Sequence, residues 1–174
     1  MVRNRQSLLY TEIGKPIADM KAGKQVHPGT TTTYGLGEAG YDIRIKQDIT
    51  FYRLFGLIPM VKTVDEDGVV TRRLGRFTLA SAIELFDMSE DLVGIVHDKS
   101  TWARKALSVF NTVIEPGWKG YLTLELVYHG RSKLHIPAGS GIAQVIFHEL
   151  AQTAAYTGRY QNQADKPVAA IAAK

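Results

Sequence analysis

Three short stretches of the chain carry residues whose types and spacing could do chemistry. The first is Asp98-Lys99-Ser100-Thr101-Trp102-Ala103-Arg104, which sets a lysine and two hydroxyls at the start of a predicted helix with an arginine one turn further on. Helix N-termini present unpaired N–H groups and a partial positive charge, so this assembly suits a phosphate group. On spacing alone it describes equally well a capped surface helix with solvated cations. The second stretch is Tyr121-Leu122-Thr123-Leu124-Glu125-Leu126-Val127-Tyr128, which follows a turn at Pro116-Gly117. Side chains alternate along a strand, so Leu122, Leu124 and Leu126 share one face while Thr123, Glu125 and Val127 share the other. A carboxylate in the middle of that second face is either a solvated group or, where a ligand or another subunit shields it, a proton carrier with its pKa raised toward neutrality. The third stretch, Tyr156-Thr157-Gly158-Arg159-Tyr160-Gln161-Asn162-Gln163, mixes aromatic, amide and cationic groups around a glycine. Such a segment can fold over an anionic ligand or remain a polar terminus.

Several other chemistries are excluded at once. The chain has no cysteine, which removes disulfides, thiolate zinc sites, iron–sulfur clusters and thiol nucleophiles. Its five histidines, His27, His97, His129, His135 and His148, are scattered without the close helical spacing of a metal motif. There is no Walker-type loop, dinucleotide fingerprint or serine nucleophile elbow. Twenty-one Lys and Arg against seventeen Asp and Glu leave a formal charge of +4, which favours an anionic partner. The cations stand singly or in pairs such as Arg72-Arg73, so a small phosphorylated ligand is expected in place of nucleic acid. Met1 to Tyr10 contains no long apolar run, and the expectation is a cytoplasmic protein without a membrane segment.

These stretches need a scaffold, and 174 residues with 45% hydrophobic and 22% charged side chains suffice for a single domain, 1–174. A short N-terminal helix and a Gly- and Thr-rich loop, Gly29 to Gly40, are expected within 1–40. From Tyr41 onward the pattern is all-β, with strands expected over Tyr41 to Phe51, Arg53 to Val64, Val69 to Arg73, Arg76 to Leu79 and Ile83 to Phe86. Further strands are expected over Leu92 to Val96, Ser108 to Glu115, Gly120 to Tyr128, Lys133 to Ile136 and Ala143 to Glu149. Asp65-Glu66-Asp67-Gly68 reads as a turn. One internal helix is predicted over Thr101 to Leu107, capped by Asp98 or Ser100. The strand pattern stops after Glu149, leaving 151–174 as a C-terminal lid or tail, of which Ala164 to Lys174 is expected to be mobile until a ligand binds.

The three stretches resemble the dCTP deaminase branch of the dUTPase-like superfamily, over most of the chain from Tyr41 to Gln163. Tyr41-Asp42-Ile43-Arg44, Ile114-Glu115-Pro116-Gly117-Trp118, Pro137-Ala138-Gly139 and Ile142-Ala143-Gln144 match in the same fixed order. The resemblance implies a distorted β jelly-roll assembled as a homotrimer, with active sites at subunit contacts and the C-terminal segment closing over a magnesium triphosphate. It implies hydrolysis of dCTP to dUTP and ammonia without zinc, with Glu125 as the general base and acid that activates water. Ser100 and Arg104 stabilise the developing charge in that reading. Lys99, Thr101, Arg159 and Gln163 serve the triphosphate and closure, and Tyr156 packs near the nucleotide. Glu115 holds the sugar or base region, Asn111 and Thr112 read the pyrimidine edge, and Thr123, Leu124 and Gln144 complete the substrate-binding set. The family commonly has Arg, Ser and Asp where this chain has Lys99, Thr101 and Glu115, and lysine offers phosphate a point charge in place of a bidentate fork. The alternatives are a dUTPase or a bifunctional enzyme that also gives dUMP and pyrophosphate, and a noncatalytic nucleotide sensor.

Overall fold

The structure, a computed structural model, describes residues 1–9, 14–110 and 112–172. In chain order the elements are β1 (Val2–Arg3), α1 (Gln6–Leu9), β2 (Gln25–Val26), β3 (Thr33–Leu36), β4 (Tyr41–Arg44), β5 (Asp48–Leu54), β6 (Ile58–Val64), β7 (Val70–Leu74) and β8 (Phe77–Asp87). They continue with β9 (Leu92–Asp98), α2 (Ser100–Ala103), β10 (Leu107–Val109), β11 (Val113–Ile114), β12 (Lys119–Tyr128), β13 (Leu134–Ile136) and β14 (Gly141–Glu149). The all-β expectation is borne out, with two short helices among the described residues.

Three antiparallel sheets share one core. The largest runs β11-β9-β14-β4-β3-β2, with β1 added along the far end of β14; the others run β10-β12-β8 and β13-β5-β6-β7. Tyr41, Ile43, Phe51, Phe86, Leu124 and Phe147, drawn from all three sheets, are buried in a single cluster. Burial of such side chains contributes roughly 1.5–3 kcal/mol each. No described helix is long and apolar enough to cross a membrane.

Where the strands differ from the sequence pattern, tertiary pairing is the cause. Tyr41 to Phe51 is two strands because β4 and β5 belong to different sheets. At the break Lys46 N–H donates to Ser81 O at 2.9 Å, and Gln47, 6% exposed, accepts from Ser81 N–H at 2.8 Å and donates to Ser81 Oγ at 3.0 Å. The Gln47 amide thus takes the place of ladder bonds, which a buried backbone must find somewhere. The two segments expected over Arg76 to Phe86 join as β8. Its register against β12 jumps from Leu85 opposite Tyr121 to Ser81 opposite Thr123, so three residues of β8, Ala82 to Glu84, stand against Leu122 alone, a bulge that bends the strand. Arg53 to Val64 is broken by a turn at Leu54 to Leu57, and Ser108 to Glu115 divides into β10 and β11. Part of the Gly29 to Gly40 loop is the strand β3. Asp65 to Gly68 is the expected turn, closed by Gly68 N–H to Asp65 O at 3.1 Å.

The internal helix is also shorter than the sequence pattern suggests. It stops after one turn because Ala106 adopts φ 64° and the chain then enters β10, burying Leu107 and Val109 against β12. Neither Asp98 nor Ser100 caps it. Lys99 is the N-cap and makes no side-chain cap bond, while the Asp98 carboxylate accepts from Val109 N–H at 2.7 Å.

Candidate active site

β12 presents its two faces as alternation requires. Leu122, Leu124 and Leu126 are buried, whereas Glu125 is half-buried on the opposite side. Burial raises the Glu125 carboxyl, and a backbone hydrogen bond draws it only partly back. Phe110 N–H donates to Glu125 O at 3.0 Å, which holds the strand at that point. Thr123 lies on the same face but is 8% exposed because the C-terminal segment covers it. Its hydroxyl accepts from the Gln163 side-chain amide and from Val168 N–H, the latter at 3.0 Å.

Glu125 opens into a cavity of about 520 Å³. Six of the residues singled out in the sequence line it: Thr112, Glu115, Thr123, Glu125, Tyr156 and Gln163. Phe77, Leu79, Ile114, Trp118, Tyr160 and, beside the bulge, Leu122 are among the apolar residues that line the rest, none of them given a site role from the sequence. The mixture of apolar walls and a few convergent polar groups is typical of a small-molecule site. Glu115 stands exposed at the rim, on the hairpin that turns at Pro116 and Gly117.

The C-terminal segment is laced to that hairpin and to β12. Tyr156 N–H donates to Pro116 O and Asn162 N–H to Lys119 O, both at 2.8 Å, and the Trp118 indole donates to Tyr160 O at 2.7 Å. Gln161 bridges the hairpin, donating to Gly117 O and accepting from Lys119 N–H, both at 2.8 Å. Beyond Gln163, Val168 and Ala170 also line the cavity, and Ile171 N–H donates to Tyr160 Oη at 3.1 Å. The described part of the tail, up to residue 172, thus packs along the hairpin and β12 at the edge of the cavity. Gln161 was given no site role from the sequence because nothing local marks a side chain whose hairpin partners, Gly117 and Lys119, lie more than forty residues away.

A second group of singled-out residues lies elsewhere on the same chain. Lys99, Ser100, Thr101 and Arg104 belong to the β9–α2 junction and Gln144 to β14, and none of them lines the cavity. Ser100, Thr101 and Arg104 are exposed, whereas the Lys99 ammonium is paired with Asp42, a buried residue of the Tyr41-Asp42-Ile43-Arg44 motif that was given no site role. α2 is anchored from below by Trp102, 3% exposed, whose indole donates to Gly141 O at 2.7 Å. A one-turn helix has little macrodipole, so any anion binding here depends on the side chains of Ser100, Thr101 and Arg104. Leu124 is in the core, 1% exposed. Arg159 is exposed and donates to Ile171 O at 2.5 Å, outside the cavity wall. Asn111 lies outside the described residues. Among the described residues, no three His, Asp or Glu side chains converge as metal ligands.

The sequence has counterparts in one family. The family model described as dCTP deaminase-like matches residues 13–150. The chain is similar to the dCTP deaminase of Protochlamydia amoebophila, 36% identical over 144 residues that cover 75% of this chain and 77% of that protein. It is likewise similar to the dCTP deaminase of Campylobacter curvus, 34% identical over 161 residues that cover 85% and 84%. Among solved structures, native EIAV dUTPase aligns with a TM-score of 0.48 at 16% identity, covering 70% of this chain and 83% of that one. A mutant dUTPase of phage 80alpha aligns with a TM-score of 0.49 at 12% identity, covering 86% and 94%.

Proposed function

The chain belongs to the dCTP deaminase-like family, and from that premise we propose that it hydrolyses dCTP to dUTP and ammonia, with Glu125 moving the protons. The observation that carries this reading is a half-buried carboxyl, its pKa raised by burial, opening into a cavity of about 520 Å³ beside hydroxyl and amide groups. A carboxyl whose pKa is raised toward neutrality can both take and return a proton at working pH. As carboxylate it removes a proton from water as the oxygen adds to C4 of cytosine. As acid it returns that proton to the departing amine, and ammonia leaves.

Thr112, Glu115 and Thr123 line the same cavity and are proposed to hold the base and sugar. Tyr156 packs near the nucleotide, and Gln163, Thr101 and Arg159 serve the triphosphate and closure. Magnesium enters as part of the substrate, bound to the triphosphate. Ser100 and Arg104 stabilise charge at the reacting centre but belong to the surface group around α2, away from their own chain's cavity. That separation supports a homotrimer in which α2 of one protomer completes the Glu125 cavity of its neighbour. A free nucleotide substrate suits the cytoplasmic setting expected from the sequence.

One observation favours a second activity. Glu115 lines the same cavity as Glu125 and supplies a second carboxylate, so cleavage of dUTP to dUMP and pyrophosphate is the alternative to test beside deamination. Purified protein is incubated with dCTP and magnesium, then separately with dUTP, and nucleotides, ammonia and pyrophosphate are measured. Ammonia with accumulating dUTP is expected. Pyrophosphate from added dUTP adds the second activity, and no product from either nucleotide overturns the catalytic reading in favour of a sensor.

A further inference from the structure

Asp42 sits within the largest sheet at 3% exposure, where an unpaired carboxylate is costly. In register it faces Gly35 on β3 and Gln144 on β14, and Gln144 faces His97 on β9. Asp42, Gln144 and His97 thus form a polar row on one face of the sheet. Lys99 keeps extended backbone, φ −80° and ψ 122°, so it continues the alternation of β9 and returns its ammonium to Asp42. The two side chains are 4% and 12% exposed, so neither charge is left to solvent.

We infer that Asp42 is a positioning residue that acts through Lys99, fixing the start of α2 and with it the directions of Ser100 and Arg104. The helix has no side-chain cap of its own, and it begins at the residue Asp42 holds. Trp102 fixes the inward side of the turn through Gly141, and the Asp42–Lys99 pair fixes its entry. The charge of Lys99 is then neutralised inside the fold and is not a phosphate contact. This rests on the reading of Ser100 and Arg104 as groups that act on the reacting centre.

The test is a double-mutant cycle on the intact protein with Asp42→Asn, Lys99→Met and both together, read as kcat, KM and thermal midpoint. Each single change is expected to lower kcat for dCTP by about ten-fold or more, because misplaced Ser100 and Arg104 lose transition-state contact, and any rise in KM through Thr101 is expected to be the same in both variants. The double variant is expected to match the worse single, and Lys99→Arg, which can still pair with Asp42, is expected to retain most of the rate. Multiplying losses would overturn the inference. So would a KM that rises in Lys99→Met alone while Asp42→Asn leaves it unchanged, since that is the signature of a direct phosphate contact. Failure of the unsubstituted protein to deaminate dCTP would overturn the functional reading instead. The pair itself is then judged by the thermal midpoints, where additivity counts against it.

Discussion

At the scale of single residues, Glu125 shows how burial shifts a carboxyl at one strand position. Its carboxyl is raised from the usual 4.5 by burial, so folding favours the neutral form. The associated stability is present below the ordinary carboxylate range and is lost as pH rises through the raised value. Glu125→Gln removes that loss. The variant should therefore melt above the unsubstituted protein at neutral pH, with the difference shrinking toward about pH 4. Its deamination should fall by roughly 10²–10⁴-fold. Calorimetry at the two pH values with an ammonia assay checks both halves, and an unchanged rate removes Glu125 from the mechanism. In the unsubstituted protein kcat/KM should decline as pH falls through the raised value, placing the acid limb above 4.5.

At the scale of elements, two devices tie distant parts of the fold together. One is the Arg44–Glu84 ion pair between β4 and β8, with Nε to Oε1 and Arg44 N–H to Oε2 both at 2.8 Å and the Glu84 side chain 1% exposed. Burial raises the Glu84 carboxyl while the guanidinium draws it down. Glu84→Ala strands a mostly buried cation and is expected to cost about 3–5 kcal/mol in urea denaturation. The other device is the close passage of the C-terminal segment over β12. Gly120 has φ +143°, and a Cβ there would lie 2.6 Å from Gln163 N. Gly120→Ala should push the segment off its seat. Faster amide hydrogen exchange at Tyr121 and Val168 and a higher KM for the nucleotide are the expected readouts, because their N–H groups donate to Gln163 O and Thr123 Oγ1.

At the scale of the whole molecule, the separation of α2 from the Glu125 cavity makes assembly testable by complementation. Glu125→Gln and Ser100→Ala are each expected to be inactive alone. Refolded together in equal amounts, they should regain about a quarter of the activity, since a site needs its Glu125 from one variant and its Ser100 from the other. Light scattering should give three times the 19.3 kDa chain mass. No recovery after mixing would mean that both groups serve a site within one chain.

Much of this was legible from residue types and alternation. The two faces of β12, the turns at Pro116-Gly117 and Asp65 to Gly68, the all-β class and the exclusion of thiolate chemistry all follow from local rules, because the period of a strand reports which side chains share a face. The family resemblance pointed to Thr112, Glu115, Thr123, Tyr156 and Gln163, which the fold gathers around Glu125. What the tertiary structure decided are relations between distant parts of the chain. Gln47 replaces a ladder where two sheets part, the helix after Lys99 ends because Leu107 is taken into β10, and Gln161 pins the C-terminal segment to a hairpin. Lys99, a phosphate ligand by type and position, is paired with a carboxylate 57 residues earlier. Periodicity is a property of neighbours in sequence, whereas the partner a buried charge finds is set by which strands the fold lays side by side.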